Sequence, residues 1–236
     1  MAGVFSQRSQ QVEIMDDLLC SGKVVDQSLN ELDIINKWLG GNDVTIKALN
    51  QLLKNRTKDK IISIVDLGCG SGEMLKLIQR WAKRNNYTFR LTGIDANPNI
   101  ISYARNHLKE HSNIELISMN IFEEQFKDYQ FDLVVSTLFF HHFSSHQLVE
   151  FFKHLKNQVG IGIIINDIHR HWFAYHSIRL ITKFFSRSRM VKNDAPLSVL
   201  RAFTRNELKA ILVSAEIKNY QIRWRWAFRW QVIIYT

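Results

Sequence analysis

The residues best suited to ligand chemistry form one short stretch, Asp66-Leu67-Gly68-Cys69-Gly70-Ser71-Gly72-Glu73. Its three glycines allow the backbone to turn sharply and let a ligand approach the main chain closely. The dinucleotide fingerprint G-x-G-x-x-G places its third glycine where this chain has Glu73. Carboxylates at 66 and 73 disfavour a pyrophosphate there, and they favour a ligand that has a cationic amino-acid part.

A strand and a helix must hold this loop. Residues 61–65 are short, continuous and β-branched, which is typical of a buried parallel strand. Residues 73–83 carry apolar side chains at helical spacing. The apolar positions of this helix are Met74, Leu75, Leu77, Ile78 and Trp81.

The same alternation continues along the chain. Strands are predicted near 61–66, 89–95, 114–118, 131–136 and 160–166, with helices near 73–84, 98–110 and 145–157. Such alternation predicts an α/β fold, with a doubly wound parallel sheet covered on both faces. Ligands of these sheets bind beyond the carboxyl ends of the strands. The glycine loop and the residues after the other strands should therefore surround one site.

The pattern D-L-G-C-G-S-G resembles motif I of the class I S-adenosylmethionine-dependent methyltransferases. Three further segments match in order: Leu91–Asp95, Ser118–Ile121, and Phe131–Ser136 with the following 138–143. The last segment is similar to small-molecule methylases that resemble quinone and menaquinone biosynthesis enzymes. The resemblance covers roughly residues 60–170, and it implies a Rossmann-like, mostly parallel sheet of seven strands.

The resemblance also implies S-adenosylmethionine as cofactor and assigns residues to it. The glycine loop would hold the methionine part, Asp95 the ribose hydroxyls, and Asn120 with Ile121 the adenine. A carboxylate accepts two hydrogen bonds from a vicinal diol, which suits an acid at position 95. The expected cofactor-binding residues are Asp66, Gly68, Cys69, Gly70, Gly72, Asp95, Ala96, Asn120, Ile121 and Thr137.

Candidate catalytic residues follow strands four and five. His141, His142 and His169 have side chains that suit a general base, and Asp167 is the carboxylate alternative or the group that orients a histidine. Any one of them could also be a packing residue of its loop. No metal site is expected, because adjacent histidines do not easily share one ion and His169-x-His171 lacks a matching carboxylate set.

Two regions outside this core have competing interpretations. Residues 9–60 are predicted as three helices, over 10–19, 28–39 and after Gly40-Gly41, that form either a lid or a packing layer. Residues 172–186 form an amphipathic helix with Arg179 and Lys183 on one face. We predict a cap over the substrate cavity; a helix on a membrane surface and a plain surface helix remain alternatives.

The chain should end in a capping box, a helix over 205–215 and a hairpin of residues 218–224 and 228–235. In this hairpin, arginines at 223, 225 and 229 alternate with tryptophans. They could stack nucleobases, but alternation more simply indicates a strand with one apolar and one solvated face.

The length of 236 residues predicts a single domain. We divide it into a helical cover (1–60), a cofactor-binding core (61–167), a cap insertion (168–203), and a last helix and hairpin (204–236). Two distant cysteines, Cys20 and Cys69, and the lack of an apolar signal core favour the cytoplasm. The net charge is +9, and residues 151–236 hold 15 of the 31 basic but 4 of the 22 acidic residues. An acidic partner, a membrane surface, nucleic acid or a solvated basic face would each fit.

These observations predict methyl transfer to a small, largely apolar acceptor, with O-methylation of a phenol or hydroxy compound favoured over C-methylation. The aromatic residues Phe139, Phe140, Trp172, Phe173 and Tyr175 suggest an apolar acceptor. An RNA methyltransferase is the first alternative, but the amino-methylase motif N-P-P-[YF] is replaced here by Ser136–Phe139. The second is a non-catalytic module that binds the cofactor or a membrane.

Overall fold

The computed structural model describes residues 2–111 and 113–236. Its strands are β1 (Ile62–Leu67), β2 (Phe89–Asp95), β3 (Ile114–Ser118), β4 (Phe131–Thr137), β5 (Val159–Ile168), β6 (Tyr220–Arg225) and β7 (Arg229–Tyr235). They form one sheet in the order β3-β2-β1-β4-β5-β7-β6. Pairing is parallel from β3 to β5, whereas β7 runs antiparallel to both of its neighbours. The predicted doubly wound sheet of seven mostly parallel strands is confirmed.

The three helices predicted for the core, near 73–84, 98–110 and 145–157, lie close to their expected places. The α-helices of the described residues are α1 (Ala2–Ser6), α2 (Lys23–Trp38), α3 (Gly41–Leu53), α4 (Glu73–Asn85), α5 (Pro98–His107), α6 (Ser145–Leu155), α7 (Trp172–Phe185), α8 (Arg189–Arg201) and α9 (Arg205–Ser214).

Successive residues of β1 pack into different parts of the core. Ile64 belongs to the cluster that α3 and α4 cover, and Val65 belongs to the cluster that α6 and α9 cover. Side chains alternate across a strand, so both faces of the sheet are buried. Burying each of these aliphatic side chains contributes about 1.5–3 kcal/mol. This two-sided burial fixes the carboxyl ends of β1, β2, β4 and β5 as one rigid edge.

The predicted helix over residues 10–19 is wrong. The segment is irregular apart from one 3-10 turn, Ile14–Asp16, and Leu19 is 83% exposed. The backbone N–H groups of Ile14 and Met15 donate to the Asp194 carboxylate, at 2.9 and 3.0 Å. These long-range hydrogen bonds replace the bonds of a helix and hold the segment across α8.

Two features of the last third also differ from expectation. Helix α8 was not predicted, and it contains Pro196; the side chain of Ser188 caps it by accepting a hydrogen bond from Val191 N–H at 3.3 Å. Strand β7 does not have one solvated face, because its residues from Arg229 to Ile234 are all buried. β7 lies inside the sheet between β5 and β6, so its neighbours and the flanking helices cover it.

Helix α7 begins where predicted, but part of its apolar side faces outward. Trp172, Phe184 and Phe185 are 56%, 71% and 72% exposed. Within the described residues, every helix is too short or too polar to span a bilayer. The membrane-surface interpretation of α7 stays a prediction.

Candidate active site

The glycine loop after β1 is held tightly against β2. The backbone N–H groups of Gly68 and Cys69 both donate to the carbonyl of Ile94, at 2.9 and 3.1 Å. Gly68 has φ of +68°, and a Cβ placed there would lie 2.2 Å from the Phe139 ring. Only glycine satisfies both the backbone angle and this close approach. The loop is therefore a preformed cradle of main-chain atoms.

Asp95 ends β2 beside this cradle. Its carboxylate accepts hydrogen bonds from Gly70 N–H at 3.3 Å and from Asn97 N–H at 3.0 Å. Each carboxylate oxygen has two lone pairs, so acceptor positions remain for a ligand diol. Burial raises the pKa of Asp95 above its ordinary value, although these two backbone hydrogen bonds lower it.

The loop and Asp95 border a cavity of about 580 Å³. Five carboxyl groups line it, against two arginines, Arg8 and Arg201. Asp66 is 2% exposed, and its Oδ1 finds no hydrogen-bond partner among the described residues. Burial and the nearby Asp95 raise the pKa of Asp66 to about 8. These acids, Asp16, Asp33, Asp66, Glu73 and Asp95, form an acidic wall. Asp16 already pairs with Arg201 and Glu73 with Lys76, so a cation with N–H donors would chiefly relieve the other three.

The structure brings almost all predicted cofactor residues to this first cavity. The exception is Gly72, where a Cβ would lie 2.5 Å from the Leu108 side chain; it fits α4 against the end of α5. Asn120 lies at the cavity, but its Oδ1 already accepts a hydrogen bond from Phe122 N–H at 3.0 Å. The predicted residues that line the cavity are Asp66, Gly68, Cys69, Gly70, Asp95, Ala96, Asn120, Ile121 and Thr137.

His141 and Asp167 form a buried pair. Nδ1–H of His141 donates to Oδ1 of Asp167 at 2.7 Å, and the backbone N–H of His141 donates to Oδ2 at 3.1 Å. Complete burial alone would raise the pKa of Asp167, but the charge and hydrogen bond of His141 lower it below its usual value. Asp167 therefore stays ionised and fixes the imidazole tautomer, which leaves Nε2 free to accept a proton.

The irregular N-terminal segment adds two acids to this pair. Oε1 of Glu13 lies 3.7 Å from Nε2 of His141, while its Oε2 accepts a hydrogen bond from Ser198 at 2.8 Å. Burial raises the pKa of Glu13 to about 7. Asp16 binds both His142 and Arg201; burial opposes ionisation of Asp16, yet these two partners hold its pKa well below the usual range.

His169 lies apart from this group. Its ring packs against Trp230, with centroids 4.7 Å apart, and it lines neither of the cavities described here. Burial and the charges of His171 and Arg170 lower its pKa to about 4. Its predicted catalytic role gains no support from this position.

Glu13, His141 and His142 bring one ligand atom each to within 4.8 Å of one another. The sequence argument against two adjacent histidines sharing an ion did not foresee this cluster. However, Nη1 of Arg201 lies 3.4 Å from Oε1 of Glu13, so a positive charge already stands beside the carboxylate.

A second cavity, of about 320 Å³, adjoins the first. Helices α2, α7 and α8 and the turn between β6 and β7 enclose it, and most of its lining is apolar. Residues of both cavities form the partition between them. The shared residues are Met15, Leu32, Asn36, Leu138, His141 and His142.

Comparison with known proteins identifies the core. Residues 64–162 match the family model described as a methyltransferase domain. Residues 64–162 are therefore a methyltransferase domain. This domain is 38% identical over 84 residues to the malonyl-[acyl-carrier protein] O-methyltransferase of Acetivibrio thermocellus. The match covers 35% of this chain and only 27% of that relative.

Two solved structures share the fold of the methyltransferase domain. The plantazolicin methyltransferase BpumL, in complex with SAH, superposes with a TM-score of 0.59 at 19% identity, over 85% of this chain and 77% of that one. Human N-acetylserotonin methyltransferase, in complex with SAM, gives a TM-score of 0.62 at 15% identity, over 90% and 55%. At such identities the likeness concerns the fold alone.

Sequence analysis missed the residues that enclose His141. Glu13, Asp16 and Arg201 contact it or its neighbour His142, and Arg8 donates to the carbonyls of His141 and Phe143, at 2.8 and 2.9 Å. Their partners lie at least 59 residues away in the sequence, so no local spacing pointed to them.

Proposed function

We propose that this methyltransferase domain transfers a methyl group from S-adenosylmethionine to a hydroxyl oxygen of a small, largely apolar acceptor. The cofactor would occupy the first cavity and the acceptor the second. One observation carries the proposal: His141, whose Nδ1 is hydrogen-bonded to Asp167, lies in the partition that the two cavities share. A base in that position can serve an acceptor on one side while the cofactor stays on the other.

The first cavity suits this cofactor chemically. The unpartnered Oδ1 of Asp66 and the acidic wall favour a cationic amino-acid part. Asp95 has lone pairs for the ribose hydroxyls, and Ile121 offers an apolar surface for adenine. Two proteins of the same fold were solved with SAH and with SAM, which supports the choice of cofactor.

When bound, S-adenosylmethionine supplies a methyl group on an electrophilic sulfonium sulfur. The chain must then align the acceptor and remove its proton. Nε2 of His141 would take the proton of the hydroxyl group, Asp167 would stabilise the resulting imidazolium, and Glu13 would receive the proton next. General-base assistance of this kind contributes typically 10²–10⁴-fold in rate. The apolar walls of the second cavity exclude water and select the acceptor.

The first test is calorimetric titration of the wild-type protein and of Asp95→Ala with SAH and S-adenosylmethionine. Loss of two hydrogen bonds to a carboxylate, at about 1.5–3 kcal/mol each, should weaken binding about a hundredfold or more. Glu115→Ala, which removes an exposed acid from the neighbouring strand β3, is the matched control and should bind as the wild type does. Absence of SAH binding by the wild type would refute the proposal.

The acceptor is then sought by screening phenols and hydroxy compounds, beside amines and thiols of matched size, for methyl transfer. Preference for the hydroxyl compounds is the expected result. Turnover restricted to amines or to ring carbons would leave the cofactor site standing and reject O-methylation.

A further inference from the structure

One buried arginine borders the second cavity without a carboxylate partner. Arg229 is 5% exposed and lines this cavity. Its Nη2 donates to Oδ1 of Asn36 at 2.8 Å, while Nη1 has no hydrogen-bond partner among residues 2–111 and 113–236. A guanidinium group has five donors and almost always remains charged. Leaving one of its nitrogens unpaired in an apolar interior is costly.

The pKa of Arg229 indicates that its side chain is charged at neutral pH. Burial lowers its pKa to about 10, and the carboxylate of Asp167 opposes this shift. Arg229 therefore remains a cation at neutral pH. Within the described chain, no carboxylate oxygen comes within 4.0 Å of it.

The acids that line the same cavity have other partners. Asp194 accepts hydrogen bonds from the backbone of Ile14 and Met15, and Glu13 contacts Ser198 and Arg201. Neither is available to neutralise Arg229. The lining of the cavity thus combines mostly apolar side chains with a guanidinium group that has no salt-bridge partner among the described residues.

Arg229 also lies close in the fold to the His141–Asp167 pair, which contains the proposed general base. It is the first residue of β7 and pairs with Ile168, the residue after Asp167 on β5. Strand pairing fixes this position relative to the His141–Asp167 pair. A group held by Arg229 would orient the rest of a molecule lying in the second cavity.

We propose that the second cavity binds an amphiphilic anion, with its apolar body between α7 and α8 and its carboxylate on Arg229. The planar guanidinium fork matches a carboxylate in geometry and charge. Resting on the function proposed above, this assigns the methyl acceptor to the class of apolar molecules that carry an anionic oxygen group.

The test compares three probes by calorimetry, with and without excess SAH: octanoate, octanamide and acetate. Wild-type protein should bind octanoate at least about tenfold more tightly than octanamide, which has the same chain without the charge. Acetate, which has the charge without the chain, should not bind measurably. Equal affinity for octanoate and octanamide would overturn the proposal, as would acetate binding as tightly as octanoate.

The variant Arg229→Gln should bind both eight-carbon probes equally, whereas Arg223→Gln, on the exposed side of β6, should keep the preference for octanoate. A preference retained by Arg229→Gln would refute the assignment. If Arg229→Gln does not fold, Arg229→Lys keeps the charge without the fork and should show a reduced preference. SAH affinity is measured separately, so failure of the cofactor site and failure of the anion site give different results.

Discussion

The substitution Asp167→Asn tests the proposed base most directly. Oδ1 of Asp167 accepts hydrogen bonds from His141 Nδ1–H and from the backbone N–H of Ile168, both at 2.7 Å, and Oδ2 accepts one from the backbone N–H of His141 at 3.1 Å. An asparagine has only one accepting oxygen, so its NH2 group must face either the backbone N–H of His141 or the N–H of Ile168. In both orientations two donors meet in a fully buried site.

The structure sets the size of the expected effects. Losing the acceptor of one buried N–H should cost about 1–3 kcal/mol of unfolding free energy, and each 1 kcal/mol lowers the Tm by about 2–4 °C in a chain of this size. With the carboxylate gone, the imidazole loses its fixed tautomer and its counter-charge. The kcat for a hydroxyl acceptor should therefore fall about 10²–10⁴-fold.

The assay separates loss of the base from loss of structure. Asp167 does not line the first cavity, so SAH affinity by calorimetry should stay within about twofold of the wild-type value. With an acidic phenol that is already ionised at the assay pH, the defect should largely disappear, because no proton needs to be removed. The double variant with His141→Gln should be no slower than His141→Gln alone. A kcat within about threefold of wild type for a neutral phenol would refute the reasoning.

Two further predictions concern the cofactor loop. Gly68→Ala forces a Cβ against Phe139 at positive φ, so it should lower the free energy of unfolding by about 1–3 kcal/mol and weaken SAH binding. The control Gly160→Ala, whose added Cβ has its nearest contact at 3.8 Å, should change neither. Thermal unfolding measures the stability of both variants, and calorimetry measures their SAH affinity. Since the pKa of Asp66 in the folded protein is about 8, the folded chain keeps a proton that the unfolded chain releases above about pH 4. The ligand-free protein should therefore lose stability as pH rises from 4 to 8, while SAH affinity should rise from pH 6 to 8, and Asp66→Asn should flatten both profiles.

The core of the fold could be predicted because its signals are local. The buried strand before Asp66 and the glycines after it carry their own conformational preferences, and Asp95 follows the next strand in the same way. A parallel sheet then brings the ends of these strands together. Short-range sequence patterns were therefore enough to place the first cavity.

The surroundings of the base depend on contacts that no local pattern records. Glu13 contacts Ser198, and Asp16 contacts Arg201, across about 185 residues of sequence. The apolar spacing of residues 12–19 predicted a helix, but tertiary hydrogen bonds to Asp194 outweighed that preference. The alternation around Arg229 likewise resembled a half-solvated strand, because sequence alone does not show that β7 lies inside the sheet.

The opposite pKa shifts of two carboxyl groups indicate the direction in which a proton would pass through His141. Asp167, on its Nδ1 side, is hydrogen-bonded and held below its usual pKa, so it remains an anion and keeps the proton of that nitrogen in place. Glu13, on its Nε2 side, has a pKa raised to about 7 by burial, so it exchanges a proton readily near neutral pH. Such separation of two acids by their environments assigns them different roles around one group. The proton of an acceptor would arrive at Nε2 and leave through Glu13, and the N-terminal segment that carries Glu13 is then part of the proposed chemistry as well as of the cover over it.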